Sequence, residues 1–220
     1  MAEQKDAYYS RREVSNSDLS WLKKYWEPVQ YYIDLQKAFK FGTLIDCMIT
    51  EPHKVDYFKL TCAGEQYTAA DFEQATKMKE AFYRDPFCSS MVKQCKFQHN
   101  TIVPEFRITL DGGFSFVLPA RCRWDLYAPN INFGADIKST AATTQRQFEQ
   151  AIRQLDYDRS RAWYMDLAGR DNDMLIGISK VNYQIFKVPI KRGDAIYKSG
   201  YDKYRDLAFR WWAYFGDERP

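Results

Sequence analysis

At 220 residues, with 45% hydrophobic and 17% aromatic side chains, the chain can bury a core of its own, which excludes disordered, collagenous and fibrous classes. No run approaches 18 apolar residues, and the polar start MAEQKDAYYSRREVS lacks the apolar stretch of a signal peptide, so a cytoplasmic protein without a membrane partner is expected. A formal net charge of +3 permits nucleic-acid binding without requiring it. Five cysteines with no C-x-x-C pair, and only two histidines, argue against a disulfide framework, a zinc knuckle or a histidine-rich site. Any metal is then expected on carboxylates, which select hard ions such as Mg²⁺ or Mn²⁺.

In chain order, VSNSDLSWLKKYWEP opens on Ser and Asn capping candidates, carries Leu19, Leu22 and Trp26, and stops at Pro28, which predicts a short helix. From Val29 to Ile49, Tyr32, Leu35, Phe39 and Ile45 recur at helical spacing, with Gly42 as an interruption. Thr68-Ala-Ala-Asp71 reads as a capping box for a helix to Arg84, ended by Asp85-Pro86. Alternation from Glu105 to Leu118 around Asp111-Gly112-Gly113 predicts a hairpin. Arg121 to Tyr127 also alternates, with Arg121, Arg123 and Asp125 facing one way and Cys122, Trp124 and Leu126 the other. A turn at Pro129, Asn130 and Asn132 then leads to a strand from Gly134 to Lys138. Thr144-Gln145-Arg146-Gln147 is a capping box for a helix through Leu155, with Phe148, Ile152 and Leu155 on one face. A helix from about Asp158 to Ala168, closed by Gly169, strands at Met174 to Ser179 and Tyr183 to Ile190, and a helix from Asp194 to Phe215 complete the chain. With no repeat and no linker, residues 1–220 are expected to form a single domain, α/β or α+β, with a mixed sheet flanked by helices.

The chemistry concentrates at Asp125 and at Asp136-Ile137-Lys138. A hairpin centred between Asn130 and Ile131 pairs position 125 with position 136, and directly opposed residues lie about 4.5–5.5 Å apart at Cβ. Two carboxylates that close repel, and a divalent cation is the remedy. Lys138, on the same strand face as Asp136, adds a point charge suited to a phosphate or an activated water. On this reading Asp136→Ala relieves repulsion and leaves metal-free stability level or slightly higher. Solvated carboxylates on adjacent strands are the ordinary alternative.

Several stretches, taken together, resemble the PD-(D/E)XK nuclease superfamily and, within it, the exonuclease VIII branch of phage-type recombination exonucleases. Val14-Ser-Asn-Ser-Asp-Leu-Ser20 followed by Pro28 resembles that branch's amino-terminal helix. Phe41-Gly-Thr-Leu-Ile-Asp46 with Glu51-Pro52 resembles its glycine-threonine helix, which normally ends in histidine. Arg123-Trp-Asp125 is similar to its R-x-D strand, and Ala135-Asp-Ile-Lys-Ser-Thr140 to its D-x-K-x-T strand. Tyr157-Asp-Arg-Ser-Arg-Ala-Trp-Tyr164 resembles the helix that contacts DNA, with Ser160-x-x-x-Tyr164 where the branch has Gln-x-x-x-Tyr.

The resemblance implies a Mg²⁺- or Mn²⁺-dependent deoxyribonuclease. Asp46, Asp125, Asp136 and the Ile137 carbonyl would hold metal, Asp125, Asp136 and Lys138 would be catalytic, and Ser160, Tyr164, Arg159 and Lys180 would contact DNA. It also implies 5′ to 3′ degradation of duplex ends, a ring-shaped homo-oligomer, and a single-strand annealing protein as partner. The iron–sulfur cluster of some relatives is not expected, because the cysteines lack its spacing and none follows Cys122. Glu105 is an outer ligand candidate or a strand-edge charge. Tyr164, beside Trp163, also suits a core position. Arg146, Arg153, Arg159 and Arg161 could track phosphates or pair with the interleaved Glu149, Asp156, Asp158 and Asp166. The alternatives are a DNA-binding or assembly module whose nuclease site has decayed, and an endonuclease on the same fold.

Overall fold

Ser15 starts the first helix as its sequence predicts. In the computed structural model, which describes residues 7–28 and 35–216, its hydroxyl accepts from the Asp18 N–H while the Asp18 carboxylate accepts from the Ser15 N–H at 2.8 Å. This reciprocal cap opens α1 (Asn16–Trp26), which buries Leu19 and Leu22 but leaves Trp26 exposed. Helix α2 (Leu35–Thr50) runs unbroken through Gly42; a Cβ there would meet only Ser139 Oγ at 3.9 Å, so the glycine is tolerated inside the helix. Val29 and Tyr32 of the predicted run lie outside the described residues, and Phe39 points to solvent.

A 3-10 turn at Pro52–Lys54 leads into a small antiparallel sheet of β1 (Val55–Asp56), β2 (Thr61–Cys62) and β3 (Glu65–Gln66). Strands of two residues carry no readable period, and the sequence gives no sign of them. Thr68 and Asp71 form the predicted capping box of α3 (Ala69–Arg84). Asp85-Pro86 ends that helix but also begins another: Asp85 accepts from the Cys88 N–H at 3.0 Å and Pro86 takes the first position of α4 (Pro86–Gln94).

The main sheet has the order β4 (Lys96–Thr109), β5 (Ser115–Ala128), β6 (Phe133–Thr140), β7 (Asn172–Ser179), β8 (Ile185–Lys191). All pairs are antiparallel except β6 with β7. That parallel pair needs a crossover, which α5 (Gln145–Gln154) and α6 (Tyr157–Leu167) provide; α7 (Ala195–Phe215) closes the fold. The α/β architecture with a mixed sheet is as expected. One face carries a core built with α1, α5, α6 and α7 around Trp124, Trp163 and Trp211. The other carries a core built with α2, α3 and α4 around Leu44, Ile45, Phe72, Phe82 and Ile137.

Two local expectations change. Gln147 reaches back to the Thr143 N–H at 2.7 Å rather than completing a box with Thr144. Leu155, the residue after α5, is exposed rather than on the buried face. Among the described residues no helix is long and apolar enough to cross a membrane.

Candidate active site

The β5–β6 register is the predicted one, with Leu126↔Ala135, Tyr127↔Gly134 and Ala128↔Phe133 paired. Continued by one step it sets Asp125 opposite Asp136, but there the ladder ends and the strands part. Asp136–Thr140 pairs only with β7, and the free edge of β5 further along is taken by Val14, which bonds to Pro119 and Arg121. The result is a fork through the sheet. Asp125 spans it: its Oδ2 accepts the Ile137 N–H at 2.8 Å, replacing the missing ladder bond. In extended backbone the N–H and C=O of one residue point to the same side, so the Ile137 carbonyl faces the fork as well.

The alternation predicted for β5 fails at this point. Trp124 packs over Gly134, where a Cβ would come within 2.1 Å of the indole. Cys122 and Trp124 belong to the α6-side core, whereas Leu126 belongs to the α2-side core. The change of face falls at Asp125 and at Gln98 on β4, between the intact pairs Phe97↔Leu126 and His99↔Trp124. Gln98 has φ +49°, sparsely populated for a residue with a side chain. Its amide donates to Asp46 Oδ2 at 3.1 Å and to Thr50 Oγ1 at 2.9 Å. Gln98 and Thr50 are site residues that sequence reasoning misses, since neither residue type nor spacing marks them.

Asp136 faces α6. Its Oδ2 lies 2.5 Å from Lys138 Nζ and its Oδ1 lies 3.1 Å from the Arg161 guanidinium. Burial alone would raise the Asp136 carboxyl, but Arg161 and Lys138 outweigh it and hold it below the ordinary value. Lys138 lowers Asp125 as well, but burial, then the charges of Asp46 and Asp136, outweigh it and push Asp125 well above the ordinary value. Asp46 reaches the site from α2, and burial above all, with Asp136 adding, raises it to about 7. Burial would lower Lys138, and Asp136 and Asp125 raise it instead. The expectation that Asp136→Ala merely relieves repulsion is therefore overturned: Asp136 is the counter-ion of two cations, and the relief belongs to Asp125 and Asp46.

The other predicted residues separate. Ser160 is buried and its hydroxyl donates to the Tyr157 carbonyl at 2.8 Å. Tyr164 packs edge-on against Trp124 and beneath the Arg161 guanidinium, 4.1 Å from its ring. Arg159 is no phosphate contact here: it is buried and ties α6 to Asn16 and Ser20 of α1. Arg161, read from sequence as one of the phosphate-tracking arginines, is wholly enclosed. Glu105 is exposed at the β4 irregularity opposite residues 118–120, roughly 17–24 Å along β5 from Asp125 at about 3.4 Å per residue, too far to ligate an ion there. Lys180 follows β7, with its ammonium 4.8 Å over Phe41 of α2. It lines a cleft of about 340 Å³ with Lys37, Ala38, Asp71 and Gln74.

Asp46, Asp125 and Asp136 offer only hard oxygen donors, and burial, which Lys138 offsets only in part, raises the first two. That donor chemistry fits Mg²⁺ or Mn²⁺. Among the described residues, no three His, Cys, Asp or Glu side chains are already gathered in a metal-holding arrangement. Asp125 and Asp136 are instead held by the Ile137 N–H, Lys138 and Arg161.

The fold is similar to a crystal structure from Eubacterium rectale described provisionally as an exonuclease, with a TM-score of 0.62 at 15% identity over 96% of this chain and 85% of that one. A phage-related exonuclease from Haemophilus somnus aligns over 94% of this chain and 96% of its own at 12% identity, with a TM-score of 0.43. No curated protein sequence matches the chain. A family model, that of the PDDEXK-like domain of unknown function DUF3799, matches residues 12–181, from ahead of α1 to just past β7. The chain belongs to this PDDEXK-like family.

Proposed function

We propose that the chain is a Mg²⁺- or Mn²⁺-dependent deoxyribonuclease that hydrolyses phosphodiester bonds from the ends of duplex DNA, in the manner of exonuclease VIII. The observation that carries this reading is the fork, where Asp125, Asp136 and Lys138 meet with Asp46 facing them from α2. Asp46, Asp125, Asp136 and the Ile137 carbonyl would hold the cation, which supplies positive charge at the scissile phosphate and a lowered pKa for water.

Lys138 does the work of the chain's own groups. Its ammonium, kept protonated by Asp136 and Asp125, orients the attacking water and stabilises the charge that develops on the phosphate. Asp136 positions that lysine. Ile137 anchors the strand independently, its side chain in the α2-side core. Lys180 and Tyr164 stay as DNA-contact candidates, Lys180 at the cleft beside α2 and Tyr164 only where its ring edge is open. The exonuclease VIII likeness adds a ring-shaped oligomer and a single-strand annealing partner to the proposal, and phage or prophage recombination as its setting.

Pure protein incubated with linear and closed-circular duplex plus Mg²⁺ or Mn²⁺ tests the reading. Loss of the linear form alone is expected. Nicking of the circle makes the protein an endonuclease on the same fold. No hydrolysis with either ion makes it a DNA-binding module, a reading favoured by the Lys138 and Arg161 cations that already occupy Asp136.

A further inference from the structure

The Ser160 hydroxyl donates to the Tyr157 carbonyl at 2.8 Å and accepts from Arg161 Nε at 3.4 Å. The polar group that α6 delivers to the site comes from the next position. Arg161 is fully buried, with one guanidinium nitrogen 3.1 Å from Asp136 Oδ1 and another 3.5 Å from Asp173 Oδ2 on β7. Its plane is fixed by the Tyr164 ring at 4.1 Å and the Trp124 ring at 5.4 Å. A guanidinium so held can neither turn to solvent nor lose its proton.

We propose that Arg161 is a positioning residue that holds Asp136 in the fork, and that its permanent charge beside that carboxylate weakens the site's hold on a divalent cation. The inference rests on the nuclease reading above. A cation held by Asp136 meets the Arg161 guanidinium one carboxylate away, and like charges that close repel.

Mn²⁺ titration calorimetry on the full chain, stripped of metal with chelator and without DNA, tests this. Arg161→Gln, whose amide can still reach Asp136, is expected to bind Mn²⁺ at least about tenfold more tightly than wild type, since a charge beside the ligand is lost. Arg161→Lys retains the charge and should restore wild-type uptake, which a purely structural role would not predict. Near-ultraviolet circular dichroism checks that Arg161→Gln is folded. If it is not, Asp173→Asn provides the opposite sign: with Arg161 left wholly to Asp136, Mn²⁺ uptake should weaken severalfold, and unchanged uptake overturns the proposal. Equal affinity in wild type and folded Arg161→Gln also overturns it, while leaving the nuclease reading intact. No Mn²⁺ uptake by any form overturns the metal-dependent reading itself and this inference with it.

Discussion

The two sides of the β5–β6 fork solve the same electrostatic problem differently. On the α6 side, Asp136 is balanced by Lys138 and Arg161, and Arg161 is anchored in turn by Asp173. On the α2 side, Asp46 and Asp125 have only neutral donors: Gln98, Thr50 and the Ile137 N–H. A neutral hydrogen bond compensates a buried carboxylate less well than a counter-ion does. Asp136 accordingly sits below its ordinary value while Asp46 and Asp125 sit above theirs. The α6 side is a finished structural network, and the α2 side holds carboxyls that burial keeps from ionising and that a cation would help to ionise.

Breaking the balanced side should have the largest effect. Asp136→Ala leaves the half-buried Lys138 without its ion-pair partner and the buried Arg161 with Asp173 alone, and losing one member of a buried ion pair costs about 3–5 kcal/mol. Urea unfolding of metal-free protein should show that loss, together with abolished DNA hydrolysis. Wild-type stability in this variant would mean that the Asp136 ion pairs contribute nothing.

Lys138→Ala should cost turnover by roughly 10²–10³, the range for losing one electrostatic stabiliser. Calorimetry should find Mn²⁺ affinity no weaker, because an ammonium is not a ligand and its removal lowers local positive charge. Weakened Mn²⁺ binding with a normal rate at saturating metal would reassign Lys138 to structure.

The α2 side should respond with the opposite sign. The folded Asp46 carboxyl titrates near 7, above its unfolded value of about 3.9. Between those limits the folded state binds more protons than the unfolded one, so wild-type stability falls as pH rises through the window. Asp46→Asn removes that fall. In chelator, its advantage over wild type should be absent at pH 3.5, grow up to about pH 7, and then level off. A gain on the order of 1–2 kcal/mol is expected, since solvent access to the half-buried side chain reduces the ideal linkage. Mn²⁺ uptake should weaken in the same variant. A pH-independent difference between the two proteins would remove Asp46 from the acidic pair.

Away from the fork the smallest effect is expected. Glu105→Ala, at an exposed position on β4, should leave both stability and cleavage within experimental error, about ±0.5 kcal/mol for an ordinary surface change. A lost metal response there would bring the residue back as a ligand.

Much of this arrangement was legible in the chain itself. Ser15 with Asp18 and Thr68 with Asp71 announce helix starts, because a capping box needs only residues three apart. Asp111-Gly112-Gly113 marks the hairpin, and the symmetry of the next turn sets Asp125 against Asp136. Asp136 and Lys138 share a face through the two-residue period of a strand. These are local rules, satisfied within a few residues or across one turn.

Tertiary structure alone decided the rest. The change of face at Gln98 and Asp125 contradicts the period and survives because helices on both sides of the sheet bury the two halves of β5 in different cores. The fork opens where β6 leaves β5 for β7, a choice made by the α5–α6 crossover and by Val14 at the β5 edge. Arg161 looks in sequence like one more arginine among Arg146, Arg153 and Arg159. Only the docking of α6 on the sheet turns it inward to Asp136. Residue type and spacing select which side chains are available; burial and the partners brought from distant elements determine which of them keeps its charge.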